Sequence, residues 1–325
     1  MVKEKFYTPQ EIKKIVADKK WVMAYNKLDA IYDNKSKKVM YIENYGPKDG
    51  FFVEGWRALH FPLTSNIVEK SYREGNITVF ILREGKSKLN LVPSFAPIGI
   101  ESCKVRSKEV YITIAGIGGG GVSASFSRGM TLGVKRVSVI NRGGGKKLGK
   151  ATLVLPLKYM LLIGVDDTDN ETEGATYSLV HNIAREAAEK FKAEYVLHGN
   201  VQLYPYNPHK TKNCFSTVVG LLFSNKKQKR NIVEHFKTEL KNNTFSKETG
   251  MAVYDGFIFS KPFIEFCKSL KFRILDSPKE IIAAANKEGV ETYTITGKRG
   301  LIGAIAALPF FDNPDFAVKL PGQCR

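Results

Sequence analysis

The chain is poor in the features that mark a metal ribbon, a membrane span or a standard nucleotide loop. Its four cysteines, Cys103, Cys214, Cys267 and Cys324, are scattered through 325 residues and form no CxxC pair. That excludes a zinc ribbon and suits reduced thiols in a cytosolic protein. Cys214 lies nearest the motifs described below, and the ordinary role for it is a buried structural thiol. The five histidines, His60, His181, His198, His209 and His235, show no HxxH or HxH metal spacing. Surface or core roles are the ordinary reading, although His181, one helical turn past Tyr177, would share that residue's face. No apolar run approaches membrane-spanning length and no signal peptide opens the chain, so a cytoplasmic protein without a membrane partner is expected. There is no Walker-type glycine-rich lysine motif, no internal repeat and no low-complexity tail.

Acidic residues are scarce in one half only. Residues 1–160 hold 28 Lys and Arg against 13 Asp and Glu, whereas residues 161–325 hold 22 against 19. Most of the net charge of +18 therefore sits in the first half. Such asymmetry fits RNA or an acidic protein partner, and it also fits a Lys-rich composition without a partner. A hydrophobic content of 43% and a charged content of 25% are those of a globular protein long enough for two cores.

What is present centres on Gly164-Val165-Asp166-Asp167-Thr168-Asp169, which follows an apolar run from Leu157 to Val165. Three carboxylates within four residues repel one another and raise their pKa values unless a cation neutralises them. Mg2+ is the usual answer, because it takes carboxylate oxygens together with substrate phosphates. A solvated acidic turn is the alternative. A polar loop with Gly174 follows, and from Thr176 apolar residues recur at helical spacing through Phe191. Thr176 thus stands at a helix N-terminus, where an anion is favoured. A cation site and an anion site one loop apart suit a metal-bound polyphosphate. Two further motifs are basic. Asn207-Pro208-His209-Lys210-Thr211-Lys212-Asn213 reads as a phosphate-gripping loop or a solvated one. Gly297-Lys298-Arg299-Gly300 opens a small-residue helix, either to bind an anion through N–H groups and side-chain charge or simply to pack closely.

Thr8-Pro9-Gln10-Glu11 is a capping box that starts a helix. Short strands are expected at Tyr25–Tyr32, Lys38–Tyr45, Phe51–Trp56, Asn76–Leu82, Glu109–Ala115, Val134–Ile140 and Ala151–Pro156, separated by turns such as Asp49-Gly50. The first domain is therefore β-rich, with a boundary near Pro156. The second half alternates. Strands are expected at 157–165, 194–203, 215–223, 251–259, 271–275 and 290–295, with helices at 176–191, 227–241, 261–269, 278–288 and from Gly300. The run Gly116–Gly121 matches GxGxxG, but Val122–Gly129 does not read as a helix and no acidic residue follows at ribose-contact distance. A phosphate nest with Ser123, Ser125 and Arg128, near Arg142, Lys146, Lys147 and Lys150, remains as one reading, and a flexible hairpin pair as the other.

Taken in order, the aspartate cluster, the Asn207–Asn213 loop and the Lys298–Ala304 run resemble the archaeal tRNA 2-agmatinylcytidine synthetase. The resemblance covers roughly residues 158–320. Thr176 falls on that family's autophosphorylated threonine, whereas Gly174 and Tyr177 depart from its pattern, and the zinc ribbon and terminal domain are missing. Along the whole chain, including the region around Gly116–Arg142, the sequence is similar to the family named methanogenesis marker protein 11, from methane-producing archaea.

The resemblance implies an α+β or α/β protein. Residues 1–156 would form a basic β-rich domain that binds an acceptor or partner. Residues 157–325 would form a nucleotide-binding domain with kinase-like and ferredoxin-like parts, the latter C-terminal. It implies Mg-ATP-dependent phosphoryl transfer to an RNA, protein or small-molecule acceptor. Asp166, Thr176 and Lys210 would be catalytic. Thr168, Lys212, Asn213, Lys298, Arg299 and Gly300 would bind nucleotide, and Asp166, Asp167 and Asp169 would hold metal, with no zinc. The alternative is a non-catalytic, nucleotide- or partner-binding assembly factor for a methanogenesis enzyme.

Overall fold

A computed structural model of the chain describes residues 5–47, 50 and 53–324. It divides into two compact units, Met1–Lys158 and Tyr159–Arg325.

The first unit opens with α1 (Pro9–Ile15), whose capping box forms as the sequence expects. Thr8 N–H donates to Glu11 Oε2 at 2.7 Å and Glu11 N–H to Thr8 Oγ1 at 3.3 Å. Then follow β1 (Lys27–Asp33), β2 (Lys38–Asn44), α2 (Trp56–Thr64), β3 (Val68–Glu74) and β4 (Ile77–Arg83). The four strands make an antiparallel sheet in the order β1-β2-β4-β3. Of the expected strand Phe51–Trp56, residues 51 and 52 lie outside the described residues, as does Asp49 of the expected turn; Trp56 starts a helix instead. That helix forms because Phe61 packs on Phe80, ring centroids 5.1 Å apart, a tertiary contact invisible to local alternation. β3 shows no apolar alternation because its residues after Val68 are exposed or half-buried.

A second antiparallel sheet, in the order β5-β6-β7-β9-β8, takes in β5 (Gly85–Lys86), β6 (Ile98–Arg106), β7 (Glu109–Gly116), β8 (Arg136–Gly144) and β9 (Lys147–Pro156). Between β7 and β8 lies α3 (Gly118–Val122), continued by a π-helical turn at Ser123–Ser127. The expectation of a non-helical segment fails here. Glycine has low helix propensity, but the missing side chains let this helix lie directly on the β8–β9 hairpin. A Cβ on Gly149 would stand 1.9 Å from the Gly121 carbonyl oxygen. Two of the side chains read as part of a phosphate nest, Arg128 and Ser125, are engaged within the fold. Arg128 is fully buried, donating from Nε and Nη2 to Glu43 at 2.6 and 2.9 Å and from Nη1 to Ser123 Oγ at 2.7 Å. Ser125 Oγ donates to the Gly121 carbonyl at 2.8 Å.

The second unit runs β10 (Tyr159–Asp166), α4 (Thr176–Phe191), β11 (Glu194–Gln202), β12 (Phe215–Phe223), α5 (Lys226–Asn243) and β13 (Gly250–Asp255). It continues with α6 (Lys261–Ser269), α7 (Lys279–Glu288), β14 (Glu291–Thr294), α8 (Gly300–Ala307) and α9 (Pro314–Ala317). The sheet order is β11-β12-β10-β13-β14, antiparallel throughout. From β10 to β13 this is the split βαβ, ferredoxin-like arrangement. The α+β class expected from the sequence holds. Residues 271–275 form no strand: Lys271 is buried and donates to the Gln202 and Ala317 carbonyls at 2.6 and 2.7 Å, which fixes an irregular turn.

β10 is central, and its period-2 alternation positions the site. Leu161, Ile163 and Val165 join Val180, Ile183, Val219, Ile232 and Phe236 in the core against α4 and α5. Leu162, Gly164 and Asp166 point the other way, toward α8. A Cβ on Gly164 would stand 1.9 Å from the Ala304 carbonyl oxygen, so the small residues of both elements permit close approach of helix and strand.

Candidate active site

Asp166 ends β10 on the α8 side. Its Oδ2 accepts from Ser216 Oγ at 2.8 Å and its Oδ1 from the Asp167 N–H at 3.0 Å. Gly303 makes room for this carboxylate, since a Cβ there would stand 1.7 Å from Asp166 Oδ2. Burial, and then the neighbouring Asp167, push the Asp166 carboxyl well above the usual range. The chain turns at Asp167, whose φ of 57° lies in the left-handed region that Asp tolerates better than most side chains. Burial and Asp169 raise the Asp167 carboxyl to about 6, and Arg299 opposes the shift.

Thr168 does not line the cavity, contrary to its expected nucleotide contact. It is 1% exposed and works as a staple. Its N–H and Oγ1 donate to Thr176 Oγ1 at 3.3 and 3.0 Å, and its carbonyl accepts from the Phe245 N–H at 2.9 Å and Thr244 Oγ1 at 3.0 Å. Thr176 is the first residue of α4, and both acceptor positions of its hydroxyl are taken by Thr168.

A cavity of about 390 Å3 gathers the separate motifs. Asp166, Asp167 and Asp169 line it with Thr176, Lys210, Lys212, Asn213 and Arg299. Lys210 Nζ also donates to the Pro205 carbonyl. Lys298 and Gly300 do not line it. The N–H groups of Lys298 and Arg299 donate to Glu248 Oε2 at 3.1 and 3.0 Å, and that of Gly300 to the Glu248 carbonyl at 2.8 Å. Thus a carboxylate of the chain itself already occupies the anion-binding amides expected before α8, and the basic side chain this segment gives the cavity is Arg299.

Nor do the three aspartates form a ready-made cage. Among the described residues no group of three or more His, Cys, Asp or Glu side chains is arranged to hold a metal ion. Burial and repulsion from neighbouring aspartates raise the carboxyls of Asp166 and Asp167, and a bound cation would relieve both. The donor set fits Mg2+ bound through one or two carboxylates, with phosphate oxygens and water completing the shell.

Sequence reasoning missed Ser216, Tyr177, Arg273 and Glu248. Ser216 faces Asp166 from β12, and the expected strand 215–223 carried that signal. Arg273 sits in the irregular turn held by Lys271 and has no local signature. Cys214 also lines the cavity, and burial lifts its thiol to about 11, which fits the structural role expected of it.

Over 303 residues the chain is 36% identical to the uncharacterized protein MJ0921 of Methanocaldococcus jannaschii, covering 91% of this chain and 97% of that one. The chain belongs to the MJ0921 family. Residues 162–229, from β10 through the start of α5, match the TiaS TCKD domain. Among solved structures, similarity extends to the complex of TiaS with tRNA and ATP, with 19% identity, a TM-score of 0.41 and coverage of 46% of this chain and 36% of that one. Apo TiaS, a tRNA agmatidine synthetase, gives 17% identity and a TM-score of 0.40, covering 46% of this chain and 35% of that one. The chain thus spans about a third of the length of these solved proteins. Within the MJ0921 family member described here, no helix among the described residues is long and apolar enough to cross a membrane.

Proposed function

We propose that the second unit binds Mg-ATP and transfers a phosphoryl group to activate an acceptor, with RNA first among the acceptor classes. The observation that carries this reading is the convergence of three aspartates, Thr176, the Lys210–Asn213 loop and Arg299 on one cavity. The TiaS TCKD match over residues 162–229 supports it, because TiaS is a tRNA agmatidine synthetase.

In this reading Asp166, Asp167 and Asp169 hold Mg2+, which supplies charge neutralisation on the polyphosphate when bound. Lys210, Lys212 and Arg299 bring cations to the phosphates, and Asn213 adds an amide. The Thr176 hydroxyl, with both acceptor positions engaged by Thr168, retains its proton to donate to a phosphate oxygen. That suits a phosphate ligand better than a phosphoacceptor, whose oxygen lone pair must be free to attack. The resemblance to methanogenesis marker protein 11 gives the acceptor a methanogenic setting within this proposal. The second reading is a nucleotide-binding assembly factor, which would hold nucleotide in the same cavity without transferring from it.

ATP turnover by the purified protein, with and without archaeal tRNA and resolving ADP from AMP, separates the two. RNA-stimulated release of ADP supports phosphoryl transfer, whereas release of AMP points to cleavage at the α–β bond instead. Tight Mg-ATP binding without turnover under any acceptor condition supports the assembly factor.

A further inference from the structure

A second cavity lies wholly within the first unit, and it rests on none of the residues proposed above. It measures about 680 Å3, and its lining includes Trp21, Met23, Tyr25 and Arg57, the glycines Gly118, Gly119, Gly144 and Gly145, and Ser123. Four observations point to a ligand. Trp21 and Met23 are 60% and 54% exposed, an unusual state for neighbouring large apolar side chains at one cavity. The glycine part of the lining is bare: a Cβ on Gly119 or Gly145 would meet nothing within 4 Å. The charged side chain in the lining is Arg57, whose Nε stands 3.9 Å from Glu43 Oε2 and whose Nη1 stands 3.5 Å from Glu54 Oε1, both glutamates lying outside the lining. Arg57 Cζ lies over the Tyr45 ring, 3.6 Å from its centroid, and its buried Nη1 makes no hydrogen bond, the Glu54 carboxylate standing at 3.5 Å outside hydrogen-bond geometry.

The chemistry of this lining is specific. An exposed indole and a thioether offer flat, polarisable faces to a planar ring. A guanidinium fixed by stacking keeps positive charge at the cavity wall, where a phosphate or carboxylate is favoured. Exposed Arg142, Lys146 and Lys147 adjoin Gly143–Gly145 in sequence, so the glycine rim is basic as well. We propose that this cavity is a binding site for a planar heteroaromatic ring carrying an anionic group, of the mononucleotide type, presented either free or at the end of an RNA chain. The glycine clusters then have two duties. Gly121, Gly143 and Gly149 let backbones pack, whereas Gly119 and Gly145 leave space for a ligand.

The test uses the full chain with Trp56→Phe, which leaves Trp21 as its one tryptophan. Trp21 fluorescence is titrated with AMP, adenosine and a 5′-phosphorylated RNA trinucleotide. Saturable quenching by AMP is expected, with adenosine weaker by about tenfold or more because it lacks the charge Arg57 would pair. Gly119→Leu adds a side chain at a lining position where a Cβ meets nothing within 4 Å, so it should weaken AMP by about tenfold or more while leaving thermal unfolding unchanged. Trp21→Ala, read by calorimetry, should weaken it similarly. A trinucleotide that binds tighter than AMP identifies an RNA end as the source, and a weaker one identifies free nucleotide. Absence of quenching at millimolar AMP and trinucleotide, or equal affinity in Gly119→Leu, overturns the proposal. Equal affinity for adenosine overturns the role of Arg57. Because Trp21 reports on its own cavity, a failure of ATP turnover elsewhere leaves this result intact.

Discussion

Gly303 shows how much one missing methyl group decides. Asp166 can end β10 facing a helix only because that helix offers no side chain at the point of contact. Gly303→Ala should push the carboxylate or the helix aside, with an overpacking cost of about 1–3 kcal/mol. Thermal unfolding together with Mg-ATP affinity checks this, and both should fall. The run of small residues was visible in the sequence, but its reason was not, because the clash partner lies more than a hundred residues away. His198 is another residue whose state depends on its neighbours. It stacks on Tyr177 with centroids 3.7 Å apart, its Nε2 is buried without a hydrogen bond, and burial lowers its imidazole to about 4. A depressed folded pKa means that the unfolded chain takes up the proton first. The contribution to stability is then intact above the ordinary value near 6.5 and is lost as pH falls toward 4. His198→Phe keeps the stack and should flatten this acid limb, as measured by urea unfolding across that range.

At the scale of elements, α8 depends on a cap that lies outside its own sequence. The Glu248 carboxylate accepts from two N–H groups at the helix entry, and Glu248→Ala leaves both without that partner. The expected cost is about 1–2 kcal/mol in unfolding experiments. The Asn207–Asn213 loop gives a sharper contrast. Lys210 lines the candidate active site, whereas Lys226 and Lys227 begin α5 on the exposed side. Lys210→Ala should weaken ATP affinity or turnover about tenfold or more, and Lys227→Ala should leave both nearly unchanged. Equal small effects would make the loop ordinary surface. Elements with clear periodicity were legible from sequence: α4, β12 and α6 fall where the apolar pattern puts them. Those that failed, α2 and the turn at 271–275, are fixed by Phe61 and by the buried Lys271, contacts that local pattern does not carry.

For the whole molecule, the sequence picked out motifs that the fold brings together, but not how each is placed. The aspartates, Lys210 and Arg299 do meet at one cavity. Thr168 and Gly300 lie beside it as supports, because a tight strand-to-helix turn must satisfy its own backbone before it can serve a ligand. Charge was legible only as a sum. If the excess of Lys and Arg in residues 1–160 serves RNA, tRNA affinity should fall steeply as salt rises, as counterion release requires. Filter binding across a salt series reads this directly, and no binding at low salt would move the acceptor to a protein or small molecule. The most direct measurement of the central claim is ATP affinity by calorimetry, with Mg2+ and with EDTA, for the native protein and Asp166→Asn. The account predicts Mg2+-dependent binding in the native protein that Asp166→Asn weakens by about tenfold or more, because one full charge leaves a hard-cation site. Affinity that is the same in all four conditions would contradict it.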